Sequence, residues 1–158
     1  MKSSSSPQLG WKTEEITSFF ALMPAFSDSA GAKGNPIALE NREDRFDELF
    51  ETFEECREPN WDGYGAQPVC NETYRLACEF LTAFPGDTPA PSVGAEPDGH
   101  LTVEWYRSPE RTLSVSISAD GNLHFAALLG VTKAYGTEPF VGEVPKIISD
   151  LIHRVTAT

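Results

Sequence analysis

The sequence predicts an α+β domain in which an antiparallel meander of three to four strands packs against helices that precede and follow it. Three observations lead to this fold class. Apolar and polar residues alternate from 101 to 129, as in strands with one buried face. Apolar residues recur with helical spacing before this stretch, within 46–56, and after it, within 144–155. Helices kept apart from an antiparallel run of strands define the α+β arrangement.

The length of 158 residues, 40% of them hydrophobic, suits one domain with its own core. We assign residues 1–38 to a tail that contains a short helix and residues 39–158 to a single α+β domain. In the tail, Phe19 and Phe20 belong to an apolar helix face that needs a partner. That partner is either the core of the domain or an identical chain, which would make a homo-oligomer through Phe19 and Phe20.

Residues 40–58 have the spacing of an amphipathic helix. Its predicted apolar face consists of Phe46, Leu49, Phe50, Phe53 and Cys56. The segment also holds nine acidic residues and three arginines, so nine minus three places −6 of the formal net charge of −12 here. The acidic surface is either a solvated helix face or a docking face for a basic partner.

A second helix follows, with Asn71 as its expected N-cap and its end before Pro85. Its buried stripe is formed by Tyr74, Ala77, Leu81 and Phe84. The last helix has Pro145 in its first turn, where the missing backbone N–H costs nothing. Its apolar residues are Val144, Ile147, Ile148, Leu151, Ile152 and Val155. We expect this helix to lie on the sheet.

The strands are predicted from alternation and from turn residues. Their apolar positions are Leu101, Val103, Trp105, Leu113, Val115, Ile117, Leu123, Phe125, Ala127 and Leu129. Asp98-Gly99 and Asp120-Gly121 suit tight hairpins, and Ser92–Ala95 is a further edge-strand candidate. Tyr106 points away from the face of Trp105, which makes it a candidate contact residue. The glycine-containing segment 130–142 is predicted to be a loop that moves or binds.

Charge and cysteines restrict the function. A net charge of −12 disfavours direct binding to nucleic acid or to anionic lipid and favours a basic protein partner. Three cysteines without C-x-x-C spacing indicate neither a disulfide framework nor a zinc site. No stretch approaches the roughly 20 apolar residues of a membrane span. We expect a cytoplasmic protein that is not attached to a membrane.

No catalytic or cofactor motif emerges from the sequence, and an enzyme is the less favoured prediction. His100, His124 and His153 are far apart in the chain and lack ligands at diagnostic spacing, so we predict no metal site and no cofactor. Asp62, beside Trp61, is the one acid whose surroundings suggest acid–base use. The alternative function is therefore a small hydrolase or ligand-binding domain with a pocket near Asp62, using Glu104 or His100.

The segment Asn60-Trp61-Asp62-Gly63-Tyr64-Gly65-Ala66 packs aromatics, an acid and glycines into one ordered loop. Together with Pro97-Asp98-Gly99 and the strand through Trp105, it resembles a group of small bacterial cytosolic proteins. The resemblance runs from Asn60 to Val155. It implies an α+β fold without an assigned reaction, and an accessory or partner protein more than an enzyme.

The resulting prediction is a non-enzymatic acidic interaction protein, such as an antitoxin, an immunity protein or a phage-type inhibitor. It would bind and neutralise a basic protein through the acidic helix and the loop that contains Trp61. The predicted partner-binding residues are Asp44, Asp47, Glu48, Glu51, Trp61, Asp62, Tyr64 and Tyr106. The competing interpretation of the loop is structural: Trp61 and Tyr64 fill the gap between two helices while Asp62 accepts backbone hydrogen bonds.

Overall fold

The computed structural model describes residues 41–158, so the predicted tail with Phe19 and Phe20 lies outside the described residues. These residues form three helices and five strands. Their order is α1 (Asn41–Cys56), α2 (Asn71–Thr82), β1 (Ser92–Ala95), β2 (Leu101–Ser108), β3 (Arg111–Ile117), β4 (Asn122–Leu129), β5 (Thr132–Pro139) and α3 (Lys146–Thr156). The α+β fold class, with helices before and after the strands, is confirmed.

The five strands form one antiparallel sheet in the order β1-β2-β3-β4-β5. One transverse row of the sheet pairs Val93, Val103, Val115, Phe125 and Gly136 on successive strands. Because side chains alternate along a strand, this row and its apolar neighbours share the face that is buried against the helices. The meander is as predicted, but it has five strands instead of three to four.

The additional strand is β5, where a mobile or binding loop was expected. Residues 132–139 pair with β4 along its whole length. Gly136 misled the prediction, because in this strand it makes room for an aromatic ring. A Cβ at Gly136 would lie 2.9 Å from Cζ of Phe125. The glycine is thus a packing residue of the sheet, and the loop prediction for 130–142 is wrong over β5.

The core lies between the sheet and the helices. Helices α2 and α3 contribute the fully buried Phe80, Leu81 and Ile148 to it. Helix α1 packs beside β1, and its Glu48 Oε1 accepts a hydrogen bond of 3.1 Å from the backbone N–H of Val93. This contact covers part of the exposed edge of the sheet, which would otherwise invite pairing with another chain.

Two local predictions need correction. Phe50 was assigned to the buried face of the first helix, but its side chain is 51% exposed. It lies at the margin of the apolar stripe, where its ring meets Tyr74 with centroids 6.4 Å apart. Asn71 is the first residue of α2 instead of its N-cap, and Cys70 occupies the cap position without a capping side-chain hydrogen bond.

Among residues 41–158, no helix is long and apolar enough to cross a bilayer.

Candidate functional site

The exposed carboxylates of α1 lie on one side of the helix. We call this surface the acidic face; it comprises Asp44, Asp47, Glu51, Glu54, Glu55 and, just beyond the helix, Glu58, all exposed. Three- and four-residue spacing brings these side chains into one stripe, opposite the buried Leu49 and Phe53. The exposed ring of Phe50 adjoins the stripe. The predicted crowding of acids on one surface of α1 is therefore present in the fold.

The segment that follows α1, residues 57–68, is here called the Trp61 loop. Its two ends are joined because the backbone N–H of Val69 donates to the carbonyl of Cys56 at 2.9 Å. Asn60 adopts a left-handed conformation, with φ of 63°, and its Oδ1 accepts a 2.7 Å hydrogen bond from the N–H of Gly65. Asparagine tolerates this conformation better than most residues do. The loop is thus closed on itself.

The side chains of Asp62 and Trp61 both make hydrogen bonds that stabilise the loop. Asp62 Oδ1 accepts hydrogen bonds from the N–H groups of Tyr64 and Ala66, at 2.8 and 3.0 Å. The half-buried indole of Trp61 donates to the carbonyl of Gln67 at 2.9 Å and packs against the core. The backbone hydrogen bonds expected for Asp62 are therefore present, and the Trp61 indole is packed against the core.

Tyr64 behaves differently, because its side chain is 94% exposed. The hydrogen bonds of the loop hold its backbone while the ring stands in solvent. A rigid loop that presents a single aromatic ring at the end of an acidic helix is suited to contact. Tyr64 is therefore not a plug between the helices.

Two further predicted contact residues, Glu48 and Tyr106, do not belong to the acidic face or to the Trp61 loop. Glu48 is half-buried and bonded to the backbone of β1, so its carboxylate holds α1 in place. Tyr106 is half-buried on the sheet face turned away from the core residue Trp105. The Trp61 loop therefore continues directly from the helix that carries the acidic face, whereas Tyr106 lies on the sheet.

A second polar region lies on the sheet face opposite the core. Thr102, Ser116, His124 and Thr137 form one transverse row across four strands. The ring of His124, a member of this row, stacks nearly parallel to the ring of His100. The ring centroids are 5.8 Å apart, and the angle between the ring planes is 8°. These histidines are far apart in the sequence, and the strand register brings them together.

His100 is held by neighbours on one nitrogen. Its Nδ1 lies 3.0 Å from Oγ of Ser116 and 3.5 Å from Oδ2 of Asp98. A catalytic triad needs the acid and the nucleophile on opposite ring nitrogens, so that the ring can pass a proton between them. This arrangement therefore does not form a serine-hydrolase triad, and the Ser116 side chain is buried as well.

Burial and hydrogen bonds shift the pKa values of several side chains in this polar region. Burial raises the pKa of Glu96, and hydrogen bonds from Thr102 and Ser116 offset part of that rise. Burial also holds the pKa of His124 below its usual value, and electrostatic repulsion between the two imidazoles adds to the effect. Hydrogen bonding from the Ser118 hydroxyl lowers the pKa of Asp120.

The residues of the alternative hydrolase are not assembled around one pocket. Asp62 lies within the Trp61 loop, whereas Glu104 is 1% exposed on β2 and accepts a hydrogen bond from Ser114 at 3.1 Å. A cavity of about 440 Å³ lies between the end of α2 and α3. His153, Glu143 and Asp87 line it, and Asp62 does not.

Comparison with models of protein families, with curated proteins and with solved structures finds no match for this chain.

Proposed function

We propose that this chain is a non-enzymatic acidic interaction protein of the cytoplasm, which binds and neutralises a basic protein partner as an antitoxin, an immunity protein or a phage-type inhibitor does. The observation that carries the proposal is the acidic face. Its exposed carboxylates form one stripe on α1, with Phe50 beside it and the exposed Tyr64 in the loop that follows the helix. The free thiols of Cys56, Cys70 and Cys78 fit a reducing compartment.

The two parts of this surface would act at different stages of binding. A patch of one charge sign accelerates encounter with a partner of the opposite sign, and salt weakens that effect. Aromatic rings buried at the centre of an interface supply much of the affinity. The exposed Tyr64 and Phe50 are suited to this second role.

The position of the acids supports a role beyond solubility. A helix C-terminus carries a partial negative charge, so carboxylates there oppose the helix dipole. Glu54 and Glu55 lie in the last turn of α1, and that turn contains no basic residue. Natural proteins tolerate such locally unfavourable choices mainly at functional sites. Arg57, just beyond the helix, pairs with Glu54 at 2.8 Å and offsets part of this cost. The charge of Glu55 remains a cost in stability that binding to a basic protein would offset.

Affinity capture from the native host tests the proposal. Two variants are compared with the original chain: D44K/D47K/E51K on the acidic face, and the control D87K/E110K/E143K with exposed acids outside α1. Three reversals of two charge units each change the net charge from −12 to −6 in both. We expect the original chain and the control to retain a stoichiometric basic protein, and the α1 variant to lose it. Equal capture by both variants would contradict the proposal.

Kinetics with the captured protein separate the two roles. The association rate should fall steeply with salt for the original chain and only weakly for D44K/D47K/E51K. Tyr64→Ala should leave the association rate nearly unchanged and increase the dissociation rate at least about tenfold, as expected for a central aromatic contact. An unchanged dissociation rate would remove Tyr64 from the interface.

A further inference from the structure

The turn between β1 and β2 brings together three side chains that are common metal ligands. Glu96, Asp98 and His100 each offer one donor atom, and these atoms all lie within 4.8 Å of one another. We propose that Glu96, Asp98 and His100 bind a divalent transition-metal ion, for which Zn²⁺ is the representative. This site lies outside the acidic face and does not depend on the function proposed above.

The donor spacing is close to what such an ion requires. Zinc lies about 2.0–2.2 Å from nitrogen and carboxylate ligands, so two ligands of a tetrahedral site are about 3.4 Å apart. Nδ1 of His100 and Oδ2 of Asp98 are already 3.5 Å apart. The Asp98 side chain is exposed, and its Oδ1 accepts a 3.1 Å hydrogen bond from the backbone N–H of His100, which leaves Oδ2 directed at the imidazole. Bringing the Glu96 carboxylate into the same shell requires a movement of about 1 Å.

The backbone of the turn fixes the positions from which the three side chains extend. The N–H of Glu96 donates to the carbonyl of His100, and the N–H of Gly99 donates to the carbonyl of Glu96, both at 2.9 Å. The N–H of Gln67 donates to the carbonyl of Pro97 at 2.8 Å, which ties the turn to the Trp61 loop. A binding site on a backbone held in this way loses little entropy when it takes up its ligand.

Neighbouring side chains orient two of the donors. The Thr102 hydroxyl donates to Oε1 of Glu96 and so fixes the orientation of this carboxylate, to which Ser116 also donates. The His100 ring is steadied by the parallel ring of His124 and by the Ser116 hydroxyl. A metal at Nδ1 would replace the hydrogen bond between this nitrogen and the Ser116 hydroxyl. Such outer partners commonly fix ligand orientation in metal sites.

The donor set indicates which ions should bind. Two carboxylates neutralise the charge of a divalent ion, and an imidazole favours zinc and its neighbours among the transition metals. Magnesium and calcium prefer oxygen ligands throughout. We therefore expect Zn²⁺ to bind much more tightly than Mg²⁺.

Isothermal titration calorimetry of the untagged full chain with ZnCl₂, and separately with MgCl₂, tests the site. We expect saturable binding of one Zn²⁺ and at least about tenfold weaker binding in each of E96Q, D98N and H100Q. The matched control is D120N, which changes the aspartate of the other Asp–Gly turn. A second control, C70S, removes the exposed thiol of Cys70. Both controls should bind as the original chain does.

Imidazole NMR spectra recorded during the same titration give a second measurement. The resonances of His100 should shift with the ion and those of His153, on α3, should not. Because the Asp98 side chain is exposed, D98N should fold normally and remains informative if E96Q or H100Q does not. The proposal would be overturned if D98N bound Zn²⁺ as tightly as the original chain does. It would also be overturned if no saturable binding were found up to about 1 mM Zn²⁺, a concentration that corresponds to a binding free energy of only about 4 kcal/mol.

Discussion

Gly99, in the turn between β1 and β2, lies directly against the backbone of the Trp61 loop. It has a φ of +90°, and a Cβ at this position would lie 2.9 Å from the carbonyl oxygen of Pro68. Glycine is therefore required twice, once by the backbone conformation and once by the close approach. The residues on either side, Asp98 and His100, are donors of the proposed metal site. Their placement depends on this glycine.

Replacement of Gly99 separates these two requirements. Gly121 has a similar φ of +85° in the β3–β4 turn, but a Cβ there would meet nothing within 4 Å. Gly121→Ala should therefore cost about 1 kcal/mol of unfolding free energy, from conformation alone. Gly99→Ala should cost about 2–4 kcal/mol, because the Pro68 backbone must also move. Urea denaturation of both variants measures the difference, and equal losses would contradict the close contact.

His124 gives the protein a pH dependence of defined sign. Its pKa is lowered from 6.5 in the fold, so the unfolded chain takes up the proton more readily. Its contribution to stability is fully present above pH 6.5 and is lost as the pH falls below 6.5 through the folded pKa. Burial raises the pKa of Glu96, which acts in the opposite direction from pH 4.5 upward.

Comparison with His124→Gln cancels the contribution of Glu96, because both proteins retain it. The unfolding free energy of the original chain minus that of the variant should decrease as the pH is lowered from 7.5 to 5. Denaturant titrations at each pH measure this difference. A difference that stays constant would show that His124 titrates alike in the folded and unfolded chain.

At the scale of elements, α1 combines a buried stripe with charges that its own dipole disfavours. Glu55→Gln should therefore raise the unfolding free energy, by up to about 1 kcal/mol at low salt. The comparison variant is Glu72→Gln, in the first turn of α2, where the carboxylate is favourable both for the helix dipole and through its ion pair with Arg75. That substitution should destabilise the protein. Thermal unfolding in low-salt buffer distinguishes the two signs, and a loss of stability in both variants would contradict the dipole argument.

The elements that could be predicted are those whose burial repeats with a clear period. Strands β2, β3 and β4 and helix α3 each alternate or repeat apolar residues, because one face of each is packed against the core. β5 lacks this signal, since half of its residues are exposed and a glycine meets the Phe125 ring. An edge strand is defined by backbone pairing with its neighbour, which leaves little trace in composition.

The polar cluster could not be predicted for a related reason. Strands β2 and β3 lie between His100 and His124 in the sequence. The contact between the two rings depends on the register that pairs Ser116 with His124. Register is a property of the assembled sheet. A local signal did exist, however. Glu96, Asp98 and His100 follow one another at every second residue around an Asp–Gly turn, a spacing that keeps them together whatever the register.

At the scale of the whole molecule, the net charge of −12 should make stability depend on ionic strength. Like charges repel more strongly in the compact state than in the unfolded chain, and salt screens them within about 10 Å at 0.1 M. The melting temperature should therefore rise between about 10 mM and 200 mM NaCl. The rise should be smaller in D44K/D47K/E51K, whose charge is halved. Differential scanning calorimetry checks both statements, and a melting temperature that falls with salt would contradict them.

The strictly sequential order of the five strands also bears on biosynthesis. Each strand can pair with its predecessor as soon as it leaves the ribosome, because no pairing waits for a distant segment. Helix α3 is made only after β5, and its Ile148, Leu151 and Val155 cover the apolar side of the sheet. A nascent chain that stalls before residue 146 would therefore display an assembled sheet that α1 and α2 cover only in part, the form in which this protein would most need a chaperone.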